Sequence, residues 1–237
     1  CPRAVIESFQ TDFGVQVLHA WGMTEMSPLG TICSFKPEVL ELSEEEKISV
    51  QETTGHPPFT VELKLTDDNG KQLKNDGKTQ GKLWARGAAV VQQYLKIETK
   101  AVDRDGWFDT GDVATIDENG YMSITDRSKD IIKSGGEWIS SIELENAAVG
   151  HPKIVEAAAI GVSHPKWDER PILIVVCEKG TKIQPKEITD FMANYVAKWQ
   201  IPDDIIFAEQ IPHTATGKIS KMELRQILTS QNYEHPD

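Results

Sequence analysis

The first part of the chain alternates between short apolar patterns of helical and of extended period. Val5 and Phe9 recur at helical spacing and predict a helix that ends at Gly14, a residue suited to the left-handed position after a helix. Residues 15–18 then have the apolar composition of a strand. The polar run that follows has a serine and three glutamates at 43–46, which predict a capped surface helix.

Short alternating strands separated by turns come next. Each intervening turn contains an Asn-Gly or Asp-Gly pair, and such pairs accept the positive backbone torsions of tight hairpins. We therefore predict a small β-barrel or meander here, with strands at 61–65, 82–85, 113–116 and 121–125.

The last part of the chain mixes helical and extended patterns. Capping-box signatures at 140–143 and 220–223 predict two helix starts, and the first helix should run to about Ala148. The tail after Ser230 should fray. Apolar runs predict buried strands at 154–162, 172–177 and 205–208. The fold class is therefore α+β, a β-rich piece followed by a small α/β domain.

A further helix should begin at Pro185, because proline is tolerated in the first turn. Its apolar positions recur on one helical face, so we interpret them as core and not as a ligand site. These positions are Ile188, Phe191, Met192, Tyr195, Val196 and Trp199.

Composition and charge narrow the function. The 237 residues suit one to two domains, and a net charge of -12 disfavours general binding to nucleic acid or anionic membranes.

The apolar run at 172–177 is too short to span a bilayer, and no basic-then-apolar leader opens the chain. Cysteines without metal-ligand spacing suit a reducing cytosol, so we expect a cytoplasmic or organelle-matrix protein. The sequence starts with Cys1 and not with methionine, and it starts inside a predicted helix, which suggests a fragment.

The first candidate site follows the first predicted strand. It contains Trp21, Gly22, Thr24 and Glu25. The aromatic ring could stack on a flat ligand, the glycine permits close approach, and the carboxylate could hold a hard cation such as Mg²⁺. An ordinary capped turn is the alternative explanation for this stretch alone.

A second candidate is Asp112, which follows the glycine turn at 106–111. A carboxylate that emerges from such a turn can accept both hydroxyls of a ribose, as in dinucleotide sites. It can equally cap its own backbone turn.

The third candidate is the charged stretch 126–139, which is typical of a hinge beside a polyanion. Arg127 and Lys133 could face phosphate, and the pair Gly135 and Gly136 would let a ligand approach the backbone. We predict that a large domain, residues 1–128, ends here and that a small mobile one, residues 129–237, begins.

A fourth candidate is the Thr-rich loop at 211–219. Lys218 follows Gly217 there and could deliver a positive charge to an oxyanion. The loop is not a P-loop, because the flanking glycine spacing is missing.

Taken in order, these stretches resemble the motifs of the adenylate-forming superfamily, which includes acyl-CoA synthetases, luciferases and peptide-synthetase adenylation domains. Residues 21–28 and 134–141 are most similar to the branch of medium- and long-chain fatty acyl-CoA ligases that includes the methylmercaptopropionate-CoA ligases. The matched stretches are 21–25 (aromatic-Gly-x-Thr-Glu), 110–112 (Thr-Gly-Asp), 126–136 (hinge) and 212–218 (catalytic lysine).

The resemblance implies an AMP-forming acid–thiol ligase that acts in two steps. A fatty or related carboxylic acid attacks the α-phosphate of ATP, which gives an acyl-adenylate and pyrophosphate. The small domain then rotates, and the thiol of coenzyme A displaces AMP. ATP or AMP, Mg²⁺ and coenzyme A are the implied ligands.

The resemblance also implies roles for residues of the nucleotide site. Trp21 would stack on adenine beside Gly22, Thr24 would contact the α-phosphate and Glu25 would hold Mg²⁺. Asp112 would bind the ribose hydroxyls.

Further roles follow for the charged stretch and the last loop. Arg127 would lie beside the ribose and Lys129 would be the hinge residue, while Lys133 stays a phosphate-facing candidate on its charge and position alone. Lys218 would bridge the acyl carboxylate and the phosphate in the first step. Residues 135–137, which end in Glu137, would lie against coenzyme A in the second step.

The resemblance covers only the C-terminal portion of a synthetase. The superfamily's phosphate loop and most of its acyl pocket precede the first motif, and this sequence has no counterpart for them. We therefore predict that the chain cannot adenylate a substrate alone and that the missing N-terminal portion is its partner; homo-oligomer formation is left open. Two alternatives remain: a carrier-protein thiol as the acceptor, or a non-catalytic nucleotide- or coenzyme A-binding module.

Overall fold

Thr125 ends one structural unit of the chain and Asp126 begins the next in the computed structural model, which describes residues 3–215, 217–230 and 233. The predicted domain boundary, between Ser128 and Lys129, falls just inside the second unit. The described tail beyond Ser230 consists of Tyr233, and the other residues of the predicted frayed tail lie outside the described residues.

The first unit opens with helix α1, Arg3–Phe13, and Gly14 after it has a φ of +63°, as the apolar spacing predicts. The strand predicted at 15–18 is wrong. Val15 and Leu18 are 48% and 50% exposed, and no described strand pairs with them. Apolar composition alone does not make a strand, because a strand needs a neighbouring edge to complete its backbone hydrogen bonds.

A two-stranded ribbon and two short helices follow. Strand β1 (Ala20–Gly22) pairs antiparallel with β2 (Leu29–Ile32). Helices α2 (Pro37–Leu40) and α3 (Glu44–Glu52) come next. The predicted cap of α3 is confirmed, because Ser43 and Glu46 form a reciprocal capping box.

The predicted meander is a sheet whose strand order follows the chain. Its inward side chains form a hydrophobic cluster that includes Leu65, Leu83 and Met122, and Trp21 packs against this cluster. The strands are β3 (Val61–Thr66), β4 (Gly81–Gly87), β5 (Phe108–Ile116) and β6 (Met122–Arg127).

The second unit is built on a five-stranded sheet in which β10 has the most neighbours. Strand β10 runs antiparallel to β9 and β7 and parallel to β11, and β7 pairs with β8. The strands are β7 (Ile132–Ser134), β8 (Glu137–Ile139), β9 (Ile154–His164), β10 (Asp168–Cys177) and β11 (Asp204–Phe207).

Both faces of this sheet are covered by helices. Alternate residues of β9 and β10 point to opposite faces, so Ala159 and Leu173 pack in one cluster with α4 (Ser141–Val149) and α5 (Pro185–Met192). Ile160 and Ile172 pack in the other cluster with α6 (Lys221–Ser230). The mixture of helix and sheet in both units confirms the α+β fold class.

The apolar stripe predicted as core after Pro185 is only partly buried. Ile188, Met192 and Val196 are buried, whereas Tyr195 and Trp199 are 63% and 46% exposed. Helix α5 ends at Met192, so helical spacing no longer decides the burial of the later positions, of which Val196 still packs in the core cluster. No helix within residues 3–215 and 217–230 is both long and apolar enough to cross a membrane.

Candidate functional site

Two of the predicted site residues of the first unit are joined by a side-chain hydrogen bond. Trp21 Nε1 donates to Asp112 Oδ2 at 2.9 Å. Asp112 directly follows Gly111 and is only 2% exposed, and its predicted binding of ribose hydroxyls stays a prediction. Asp112 lies inside strand β5, where an acceptor for the indole N–H fixes the orientation of both side chains.

A bulge in the sheet explains why the side chain of Asp112 is directed at Trp21. The β4–β5 register shifts between Lys82 and Trp84, so that residues 110–112 face only Leu83. Gly111 has a φ of +71°, which glycine adopts without steric cost. The Thr-Gly-Asp stretch is therefore a strand irregularity that turns one carboxylate towards Trp21.

Side-chain bonds of Thr110 hold the bulge in place. Its Oγ1 donates to the carbonyl oxygen of Leu83 at 2.8 Å and accepts from the amide of Asp112 at 3.2 Å. Thr110 is buried, so these bonds satisfy a hydroxyl that would otherwise be costly to bury.

The packing of the chain against itself explains why residue 22 is a glycine. A Cβ at this position would lie 2.0 Å from the carbonyl oxygen of Pro28, where the β1–β2 ribbon returns. Close approach of the chain to itself therefore requires glycine here, whatever ligand approaches the exposed side.

Glu25 lies in a short 3₁₀ helix, Thr24–Met26, in which Thr24 is exposed. Its Oε1 accepts a hydrogen bond from the hydroxyl of Tyr94 at 2.9 Å. That bond raises the pKa of Tyr94, with a smaller contribution from partial burial. Sequence reasoning missed Tyr94, because no local pattern marks a residue so far along the chain.

The donor set at Glu25 fits a magnesium ion that substrate phosphates also hold. Within the described residues, no group of three or more His, Cys, Asp or Glu side chains could hold a metal alone. Mg²⁺ in nucleotide sites commonly takes one or two carboxylates and completes its shell with phosphate and water. Glu25 Oε2 accepts no hydrogen bond from a described residue, so one carboxylate oxygen remains for a cation.

In the second unit the glycine pair forms a tight hairpin turn. Ser134 of β7 pairs with Glu137 of β8, and the two intervening residues, Gly135 and Gly136, have φ values of +61° and +90°. A two-residue hairpin with two positive φ values favours glycine at both positions. The turn and Glu137 are exposed.

Trp167 packs against this turn and was missed by sequence reasoning. Its carbonyl oxygen accepts the amide of Gly135 at 2.8 Å, and a Cβ on Gly135 would lie 2.9 Å from its ring. The indole is 42% exposed, with the Lys166 ammonium 4.6 Å from the ring centroid. An aromatic residue in a polar stretch was the available signal.

Lys133 precedes the turn on β7. Its backbone amide donates to Glu169 Oε2 at 2.9 Å. Its ammonium lies 5.6 Å from the Trp138 ring centroid, within the range of a cation–π contact.

The predicted hinge residue is attached to helix α6. Arg225 donates from Nη2 to the carbonyl oxygen of Lys129 at 3.2 Å and from Nη1 to Asp130 at 2.8 Å. The side chains of Lys129 and Arg127 are exposed.

The loop that carries Lys218 closes on itself. The amide of Thr214 donates to the carbonyl oxygen of Lys218 at 2.7 Å, and its Oγ1 accepts the Lys218 amide at 3.2 Å. Lys218 is exposed and forms no ion pair with a described residue. Gly217 has a φ of +80°, and Thr216 lies outside the described residues.

The predicted site residues thus divide between the two structural units. The first unit holds the proposed adenine, ribose, α-phosphate and metal residues, Trp21, Gly22, Thr24, Glu25 and Asp112. The second unit holds Arg127, Lys129, Lys133, Gly135, Gly136, Glu137 and Lys218.

Two family models match the chain. The model described as AMP-binding enzyme matches residues 1–95, and the model described as AMP-binding enzyme C-terminal domain matches residues 143–218. The two matches fall in the first and second units, respectively.

Similar proteins are ligases of coenzyme A. The chain is 52% identical to a 3-methylmercaptopropionyl-CoA ligase of Ruegeria lacuscaerulensis and 50% identical to a medium-chain-fatty-acid–CoA ligase of Ectopseudomonas oleovorans. Each match covers 95% of this chain but only 42% and 41% of the relative, so the chain spans less than half of their length.

A solved structure of similar fold is an o-succinylbenzoate CoA synthetase of Bacillus subtilis in complex with its acyl-adenylate intermediate. The TM-score is 0.79 at 27% identity, and the match covers 95% of this chain and 44% of that one.

Proposed function

The chain belongs to the adenylate-forming superfamily of AMP-binding enzymes, and from this membership we propose that it is the C-terminal portion of an AMP-forming acyl-CoA ligase. In the first step the carboxylate attacks the α-phosphate of ATP, which gives an acyl-adenylate and releases pyrophosphate. In the second step the thiol of coenzyme A takes the acyl group and AMP leaves. Relatives named for methylmercaptopropionate and medium-chain fatty acids support a fatty or related carboxylic acid as the substrate.

The observation that carries this proposal is the pair formed by Trp21 and Asp112. The indole N–H points at a buried carboxylate, so both side chains are already oriented before a ligand arrives. An aromatic face next to a carboxylate is suited to a base and its ribose, since the ring can stack and the carboxylate can accept the diol. Arg127, whose side chain is exposed on the second unit, would bind beside the ribose, as membership of the superfamily implies.

The first step needs positive charge at the reacting phosphate. Lys218 supplies an exposed ammonium from a short closed loop, where it can bridge the attacking carboxylate and the α-phosphate. Thr24 would donate its hydroxyl to the phosphate, and Glu25 would hold a Mg²⁺ ion together with the phosphates. That ion would neutralise charge on the departing pyrophosphate.

The second step uses the turn of Gly135 and Gly136 on the second unit. The exposed backbone of a glycine turn can approach the extended arm of coenzyme A closely, with Glu137 and Lys133 beside it. Rotation of the second unit about Lys129 would exchange Lys218 for this turn at the reacting carbon.

The test completes the protein with the region that precedes the matched segment in the Ruegeria lacuscaerulensis relative, joined upstream of Cys1. We call this fusion the completed ligase. It should release pyrophosphate in a carboxylic acid-dependent way and form a thioester with coenzyme A, whereas the 237-residue chain alone should do neither. A series of acids of increasing chain length identifies the preferred substrate.

A variant separates the two steps. Lys218→Ala in the completed ligase should lower pyrophosphate release by about 100-fold or more while a supplied acyl-adenylate is still converted to thioester. Lys186→Ala is the matched control, because Lys186 pairs with Asp190 on the exposed face of α5. A completed ligase that is folded and binds AMP but releases no pyrophosphate with any acid would contradict the proposal.

A further inference from the structure

A buried polar network in the second unit connects helix α6, helix α4 and Asp126. Lys221, the first residue of α6, donates from its ammonium to Ser141 Oγ and pairs with Glu145 Oε1 at 2.8 Å. Ser141, the first residue of α4, donates from its hydroxyl and from its amide to Asp126 Oδ2, both at 2.6 Å. Asp126 opens the second unit.

The charges of this network lie away from water. Asp126 and Ser141 are buried, and the side chains of Lys221 and Glu145 are only 11% and 15% exposed. Glu145 also accepts the backbone amide of Ala159 on β9 at 2.9 Å. Burial raises the pKa of the Glu145 carboxyl, and the Lys221 ammonium opposes part of that rise. A side chain held by several charge-assisted bonds in a low dielectric has little freedom to move.

The two ends of the network adjoin segments with proposed roles in catalysis. Lys221 is the first residue of α6 and lies three residues after Lys218, so its bonds hold the point where the Lys218 loop joins the helix. Asp126 is followed directly by Arg127, whose amide donates to Asp126 Oδ1 at 2.7 Å. A single set of bonds therefore fixes the backbone next to both cationic residues.

We infer that Lys221 is a positioning residue, which acts through its buried bonds to Ser141 and Glu145 to place Lys218 for adenylate formation. The inference rests on the proposed function, since Lys218 is given its role there. Lys221 itself does not contact the substrate. Its ammonium is occupied by Ser141 and Glu145.

The first test compares the two steps in the completed ligase. Lys221→Met should lower kcat for pyrophosphate release by about 100-fold, because a displacement of roughly 1 Å at a reacting group has an effect of that size. The KM for ATP and the conversion of a supplied acyl-adenylate to thioester should stay close to the unsubstituted values. Lys186→Met, which removes an exposed lysine from α5, should change neither step. Equal losses in both steps, at a temperature where the variant is folded, would overturn the inference.

A double variant separates positioning from simple charge burial. Lys221→Met leaves Glu145 as a buried carboxylate without its partner, and adding Glu145→Met removes that charge. Thermal stability should recover in the double variant while pyrophosphate release stays low, because the directional bonds to α4 are still absent. Full recovery of pyrophosphate release would show that Lys221 only neutralises Glu145, and the inference would fail.

A third measurement does not depend on catalysis at all. Hydrogen exchange in the 237-residue chain should become faster for Lys221→Met in the peptide that covers 213–219, whereas exchange in β9 and β10 should stay unchanged. Unchanged exchange at 213–219 contradicts the anchoring of the loop even if the completed ligase is active. If the completed ligase is inactive but exchange at 213–219 is faster in Lys221→Met, the proposed function is contradicted, whereas the anchoring of the loop by Lys221 is supported.

Discussion

At the residue scale, Asp112 combines a structural and a proposed ligand-binding role in one carboxylate. Its Oδ2 accepts the indole N–H of Trp21, and the Gly111 bulge determines its direction. The side chain is only 2% exposed, so the bond to Trp21 is protected from water. Asp109, in the same strand, has an exposed carboxylate that accepts the Gly111 amide at 2.9 Å and provides a natural comparison.

Asp112→Ala should destabilise the 237-residue chain by about 1–3 kcal/mol, because the indole N–H of Trp21 loses its acceptor in a half-buried position. Asp109→Ala should have an effect of about 1 kcal/mol or less, since water replaces an exposed bond. Urea unfolding followed by circular dichroism measures both.

In the completed ligase, Asp112→Ala should raise the KM for ATP by about 10- to 100-fold, which is the effect expected for the loss of a charge-assisted bond to the ribose. If Asp112→Ala and Asp109→Ala change the free energy of unfolding equally, the bond between Asp112 and Trp21 makes no special contribution to stability.

At the element scale, the β7–β8 hairpin accounts for the glycine pair without any ligand. Both positions have positive φ values, but only Gly135 also lies against a side chain, the ring of Trp167. A Cβ on Gly136 would meet open space. The hairpin thus contains two adjacent glycines that share a backbone requirement and differ in packing.

Gly135→Ala should therefore destabilise the chain more than Gly136→Ala. The backbone strain of alanine at positive φ should reduce the free energy of unfolding by about 1–2 kcal/mol in both variants. The contact with Trp167 should add about 1–3 kcal/mol for Gly135→Ala alone. Urea unfolding of the two single variants measures the difference.

The contribution of the ring can be isolated with Trp167→Ala. In that background the difference between Gly135→Ala and Gly136→Ala should disappear, because no ring remains to be displaced. A difference that persists without the ring would mean that backbone strain at the first turn position, and not packing, explains the larger effect.

At the scale of the whole molecule, local chemistry predicted most elements and tertiary contacts decided the rest. The meander and the cap at Ser43 were predicted because turn glycines and capping side chains act on neighbouring residues. The burial of Asp112 and the bond from Tyr94 to Glu25 were not, since both depend on residues far apart in sequence. Residues 15–18 failed as a strand for the same reason, because pairing depends on a partner that composition does not reveal.

Lys129 is the proposed pivot of the domain movement proposed for catalysis. Its side chain is exposed, and its carbonyl oxygen accepts a hydrogen bond from Arg225 of α6. Lys129→Ala keeps the freedom of the backbone and serves as the control. Lys129→Pro fixes φ near -65° and restricts Ser128 before it, so the segment can no longer adopt two backbone conformations with equal ease.

In the completed ligase, Lys129→Pro should slow thioester formation from a supplied acyl-adenylate by about tenfold or more, which corresponds to ~1.4 kcal/mol of barrier, while pyrophosphate release changes much less. The steps separate because the first takes place before the rotation and the second after it. Single-turnover measurements of each step decide the outcome, with Lys129→Ala expected to be close to the unsubstituted enzyme in both. If alanine and proline slow thioester formation equally, the side chain of Lys129 and not its backbone torsion is responsible, and the pivot must be sought at another residue of the charged stretch.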